Sequence, residues 1–437
     1  MSLSVVGGPL GRHASERAGS WLATVVPLLA ATVGTMALAV VQKASCIQQG
    51  WSGADQFWHA CFSDLPAMYQ GGNLDDGLAA YLSDSGARSD HPALTGAVSA
   101  FLGGLVPDGV FVDQTRWYFA LWAVLATVCA LAIVWFTAAT RPRHVSAAAQ
   151  VALSPVLVLT PLVSADIFGV MLVSAGLWAW ARRRPALAGA FLGLAVMART
   201  YPLLVLLAIA LIAVRTGSWA PLRRTLLGAL AAVVVVALPF LGNLGALWRT
   251  YEVWWDAAPG LGSIWMVPQL VGLDPVPAGL ATMLSAATTA LAVVAGTVFA
   301  LGTYRRPSVP QVALVLVGLT LVVGKSFPVQ ASLWLVPLIA LAGLRWRDQL
   351  VWALTEALHF VAVWLYFGGL SRPDRGMPAG WYCVFLLLRV AAVGYLVVRT
   401  WRTAAAYPDE EGADEEGTDE ADGDFADAPD RLLVRLT

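Results

Sequence analysis

Charge is the scarcest commodity in this chain. Asp, Glu, Lys and Arg make up 13% of its 437 residues, and mean hydropathy is +0.69. Soluble domains carry roughly a quarter of their residues as charges, so an ordinary water-soluble protein is excluded. Cysteine is also rare. Four residues are too few for a disulfide scaffold, and no Cys/His cluster has the spacing of a metal site. Gly-rich phosphate loops preceding a soluble helix and the pattern of a nucleotide-binding fold are missing as well. No metal, no redox or nucleotide cofactor and no nucleic-acid partner is therefore expected.

What is present is a succession of long apolar runs. The first, from about Trp21 to Val41, is long enough to cross a hydrocarbon core and longer than the apolar region of a cleaved signal peptide. Reading such runs against their flanks suggests an all-α integral membrane protein with about twelve spans. Their approximate limits are 20–42, 117–139, 146–163, 166–181, 186–199, 202–216, 225–242, 278–302, 309–324, 329–345, 349–368 and 380–400. Basic residues orient them. Alternate loops hold 16 Arg on one side, against 8 Arg and Lys on the other, which predicts both termini in the cytoplasm of a plasma-membrane protein. Under that orientation the run Ala93–Val106, too short to span, becomes a re-entrant or interfacial helix. Residues 43–116 then form one large external loop. The expected organisation is a cytoplasmic N-terminal tail over 1–19, a multi-span domain over 20–402 and a cytoplasmic tail over 403–437. Twelve of the 28 acids fall between Asp409 and Asp430, a composition that predicts disorder.

The groups with chemistry lie on the expected external side. Asp64, in Cys61-Phe-Ser-Asp-Leu-Pro-Ala-Met-Tyr69, follows the first span closely. Partly shielded from water there, it is a candidate general base with a raised pKa; the plainer alternative is a helix-capping acid. Cys46 and Cys61 flank one polar segment where oxidation is possible, so either a bridge between them or two free thiols is expected. Cys129 and Cys383 fall in apolar runs and read as core hydrophobes. Asp166 and Arg199 stand at tight turns between apolar runs, and Lys325 ends one. Arg199 and Lys325 either snorkel to the interface or hold a lipid phosphate. Glu356 and Arg389 read as a structural pair and His359 as a core histidine. Trp248, Trp254, Trp255 and Trp265 either anchor at the interface or stack on sugar rings.

With these residues placed, the chain resembles the actinobacterial membrane glycosyltransferases of family 87, of GT-C architecture, among them the phosphatidylinositol-mannoside mannosyltransferases. The resemblance runs from about 43 to 390. It is carried by the Cys61–Tyr69 segment, His91-Pro-Ala-Leu-Thr-Gly96, Ser164-Ala-Asp166, Ala198-Arg-Thr-Tyr-Pro202, Gly262-Ser-Ile-Trp265 and Lys325-Ser-Phe-Pro-Val-Gln-Ala-Ser-Leu-Trp334. Where those relatives have Asn-Trp before the second acid, this chain has Ser164-Ala165, and Arg199 stands where they tend to have Lys. The resemblance implies an inverting transfer of mannose, or secondly arabinofuranose, from a polyprenyl-phosphate donor in the membrane lipid to a glycan or glycolipid acceptor. Asp64 would be the base. Arg199, Lys325, Gln330 and Asp166 would bind the donor and its phosphate, and Trp255, Trp265, Tyr69 and His91 would contact acceptor or sugar. The rival expectations are a transporter or flippase of a lipid-linked sugar, with inverted repeats and a path to both faces, and a non-catalytic family member.

Overall fold

A computed structural model describes residues 21–405 and 420–433, so the N-terminal tail over 1–19 lies outside the described residues. Among those described, every regular element is helical. Backbone N–H and C=O groups find no water partners in a hydrocarbon core, and a helix satisfies them within its own segment. Six helices are long and apolar enough to cross a membrane: α1 (Trp21–Gln42), α7 (Phe111–Thr140), α13 (Trp219–Ala237, continued by a 3-10 turn to Gly242), α16 (Ala278–Gly302), α19 (Trp346–Ser371) and α20 (Ala379–Ala405). In the apolar windows of α1, α13 and α16 only 28%, 22% and 28% of residues are buried, against 39–50% in α7, α19 and α20. The first three are therefore peripheral, with a wide apolar face turned out of the bundle.

Shorter apolar helices fill the interior: α10 (Asp166–Ala181), α11 (Pro185–Ala198), α12 (Pro202–Thr216), α17 (Val309–Val323) and α18 (Leu335–Leu341). Nearly every residue of α17 from Val309 to Gly318 is buried. Small residues bring α11 against α13. A Cβ on Gly189 would sit 1.9 Å from the Thr225 carbonyl oxygen, and one on Gly228 2.2 Å from that of Ala186. Such close approach is how helices associate where lipid removes the hydrophobic drive between them.

The expected run 146–163 is two short helices, α8 (Ala147–Ala152) and α9 (Val156–Leu159), because Pro155 has no N–H to continue the ladder. Likewise 329–345 begins as a 3-10 turn, Val329–Trp334, before α18. Helix α7 starts at Phe111 rather than 117, so the segment after Lys43 closes sooner than expected. That segment holds α2 (Ala44–Gln49), α3 (Asp55–Trp58), α4 (Asp64–Gly72), α5 (Gly77–Ser83) and α6 (Ala93–Gly103), the last of only 11 residues. Cys46 and Cys61 are bridged, with Cα atoms 5.7 Å apart; Cys129 and Cys383 are buried free thiols. Helices α14 (Gly245–Asp256) and α15 (Val267–Leu270) fill the connection between α13 and α16.

The acidic tail departs from its expected disorder. Residues 406–419 and 434–437 lie outside the described residues, but 420–433 pack on one end of the bundle. Phe425 is fully buried against Trp180, whose indole N–H donates to the Asp422 carbonyl at 3.1 Å. Asp430 receives Arg215 at 2.7 Å and Arg306 at 3.2 Å, and Arg183 pairs with Asp427. Composition alone missed this because the arginines that neutralise the carboxylates, Arg183, Arg215 and Arg306, come from three distant stretches of the chain.

Candidate functional site

Asp64 opens α4. Ser63 caps that helix by accepting from Leu65 N and anchors it by donating to the Leu162 carbonyl at 2.7 Å; Asp64 N donates to Val163 O at 2.7 Å. The disulfide holds the preceding turn, so the carboxylate is fixed against the start of α10. It lines a cavity of about 320 Å³. Phe57, Phe62, Trp364 and Phe367 form one wall, their rings stacked or tilted at 4.9–6.2 Å. Ser326, Gln330 and His359 supply polar groups on the others.

Burial, and then the Asp166 charge, push the Asp64 carboxyl up to about 6, while Arg199 and Lys43 pull the other way. Lys43, the first charge after α1, is fully buried. Its ammonium donates to the Phe62 carbonyl at 2.8 Å and lies 5.6 Å from the centre of the Phe360 ring. Burial lowers it to about 7, partly countered by Asp64. Lys43 was overlooked in the sequence, although a lone cation just past the first span and three residues before Cys46 was a usable signal.

Behind Asp64 is a second charge cluster. Asp166, at the start of α10, accepts from Ser164 Oγ at 2.6 Å and Trp334 Nε1 at 2.8 Å, and pairs with Arg199 at 2.5 Å. The other guanidinium branch meets His91 Nδ1 at 3.0 Å. Burial and then Arg199 lower the His91 ring to about 3, so it is neutral and accepts. Tyr201 stacks on Trp334 at 4.4 Å. Asp166, Arg199 and His91 thus come together, and the charges of Asp166 and Arg199 reach Asp64.

Lys325 does not join them. It is absent from the cavity lining. Its ammonium donates to the Trp254 and Trp255 carbonyls at 2.9 Å each and to Thr282 Oγ1 at 2.6 Å. The last carbonyls of a helix have no partner within it, and Lys325 caps those of α14. Lys325 and Arg199, expected together at a phosphate, thus have separate partners, and Arg199, Asp166 and His91 are likewise absent from the cavity lining. Gln330 does line the cavity, with Ser326 beside it. The loop carrying both is held from behind: Arg389 pairs with Glu356 at 2.8 Å and donates to the Phe327 and Pro328 carbonyls, the structural role expected of that pair. His359, expected as a core residue, is buried but borders the cavity. Trp265 donates to Val323 O at 2.9 Å, Trp255 is exposed, and Tyr69 is buried against Tyr118; none of the three lines the cavity. No group of three or more potential metal ligands occurs among the described residues.

No family model matches the chain, and no curated protein matches it.

Proposed function

We propose that the protein is an inverting, GT-C-type glycosyltransferase that moves a sugar, mannose by preference, from a polyprenyl phosphate to an acceptor outside the cytoplasm. The observation that carries this reading is Asp64: a carboxylate with a raised pKa, fixed by a cap and a disulfide, opening into an aromatic-walled cavity. A base tuned towards neutrality takes a hydroxyl proton efficiently. Asp64 accepts the proton of the acceptor hydroxyl, and that oxygen attacks the anomeric carbon. The bond from that carbon to the phosphate oxygen breaks on the opposite face, and prenyl phosphate leaves. Aromatic faces suit both a sugar ring and the first isoprene units. Gln330 and Ser326 supply polar contacts to sugar hydroxyls, and Arg199 and Lys43, which stand behind the cavity wall rather than in its lining, favour the departing phosphate through their field.

The same proposal takes the path as twelve-pass, with the six shorter apolar stretches completing the six long spans and both termini in the cytoplasm. The excess of Arg in alternate loops supports that orientation.

The test is transfer of labelled polyprenyl-phosphate mannose in proteoliposomes. Asp64→Asn is expected to reduce transfer by roughly 10²–10⁴-fold while insertion and melting temperature stay near those of the parent. Near-normal transfer by this variant would falsify the base assignment.

A further inference from the structure

Helix α14 has a face that the bundle does not cover. Leu244, Trp248, Tyr251 and Trp255 recur at helical spacing on one side of it, flanked by a polar face of Arg249, Glu252 and Asp256. Trp248 and Trp255 are 63% and 62% exposed, and Ala246 is the helix's buried residue. The surroundings identify what covers this face. Helix α13, with its 3-10 extension, ends at Gly242, and α16 starts at Ala278; both are of spanning length. The connection between them is therefore held at a membrane surface. The apolar stripe continues onto exposed Leu241 at the end of α13 and exposed Leu280 and Met283 at the start of α16. Tryptophan and tyrosine on such a stripe suit the boundary between headgroups and acyl chains, where a ring is buried and its polar edge stays wet.

The opposite side of α14 is tied to both rims of the site. Thr250 Oγ1 donates to the Asp90 carbonyl at 2.8 Å, next to His91, which binds Arg199. At the far end, Lys325 holds the Trp254 and Trp255 carbonyls, with the Trp254 ring 5.2 Å from its ammonium. Lys325 directly precedes Ser326, and its own carbonyl receives Gly260 N at 2.9 Å. The helix thus braces the segment before His91 and the cavity loop at once.

We propose that α14 lies in the headgroup–acyl boundary of the bilayer with its aromatic face to lipid, and that this seat holds the cavity loop in place through Lys325. Neither half depends on glycosyl transfer. The seat is tested on full-length protein in phosphatidylcholine–phosphatidylglycerol vesicles, with Cys129 and Cys383 replaced by alanine. Spin labels are placed singly at Trp248→Cys, Trp255→Cys and Glu252→Cys. Labels at 248 and 255 are expected to collide with oxygen several-fold more than with a water-soluble nickel chelate, and the label at 252 to do the reverse. Equal accessibility at all three overturns the seat. The coupling is tested with Ser326→Cys and a water-soluble maleimide, alone and combined with Trp248→Glu and Trp255→Glu. Labelling is expected to quicken several-fold when the aromatic face is made acidic. An unchanged rate overturns the coupling, whatever the spin labels report.

Discussion

A carboxylate in the first turn of a helix ordinarily ionises easily, because free N–H groups and the helix dipole favour the anion. Asp64 occupies that position, yet its pKa rises to about 6 because burial and the neighbouring Asp166 outweigh the dipole, Arg199 and Lys43. The acid limb of a transfer profile follows from this. Under the proposed base role only the ionised Asp64 accepts a proton, so activity is expected to rise with pH through about 6 and to fall again as Lys43 loses its proton near 7. Lys43 lowers the Asp64 pKa, so Lys43→Met removes a positive charge that favours the anion. Its limb is expected at higher pH than that of the parent; a rate–pH curve that stays put or moves down would contradict the electrostatic role given to Lys43. Asp64 itself was legible from sequence, since its place relative to a span and a cysteine suffices to suggest a shielded acid. The roles of Arg199 and Lys325 were not. Their partners, Asp166 and the carbonyls of Trp254 and Trp255, are brought in by folding, and local sequence cannot say whether a cation is already occupied.

Long elements were the most readable. The six long spans follow from apolar length alone, since hydrocarbon thickness sets the residue count. Short ones were less so: Pro155 breaks 146–163, and the 3-10 turn at Val329–Trp334 shortens 329–345. The Cys46–Cys61 bridge closes a loop with a sequence separation of 15, for which chain-entropy arguments give about 3 kcal/mol. The double variant Cys46→Ser/Cys61→Ser is expected to melt at a lower temperature in detergent. It should also lose more transfer than stability alone explains, because the turn bearing Asp64 is loosened. An unchanged melting curve would show that the surrounding helices, rather than the bridge, set this turn.

Across the whole molecule, the segment 420–433 knits together the ends of α10, α12 and α17. Arg215 is fully buried and bonded to the Ala300 and Thr303 carbonyls as well as to Asp430. Removing a buried cation's counter-charge costs far more than removing a surface pair. Since Asp430 itself is partly exposed, a loss of about 1–3 kcal/mol is expected for Asp430→Ala. Arg143→Ala, which removes an exposed contact with Glu420, is expected to change stability by less than about 1 kcal/mol. Thermal melting of both variants in the same nanodiscs checks the contrast; equal effects would mean the clamp rests on Phe425 and Trp180 instead.

The bond between Arg215 and Asp430 joins residues 215 positions apart. During synthesis α12 exists long before its counter-ion emerges, and until then the arginine has only carbonyl oxygens to rest on. Maturation of the bundle therefore ends with a stitch sewn from chain made late. Ribosomes stalled before that stretch should yield a protein whose helices are all inserted but whose charged end a protease can still enter.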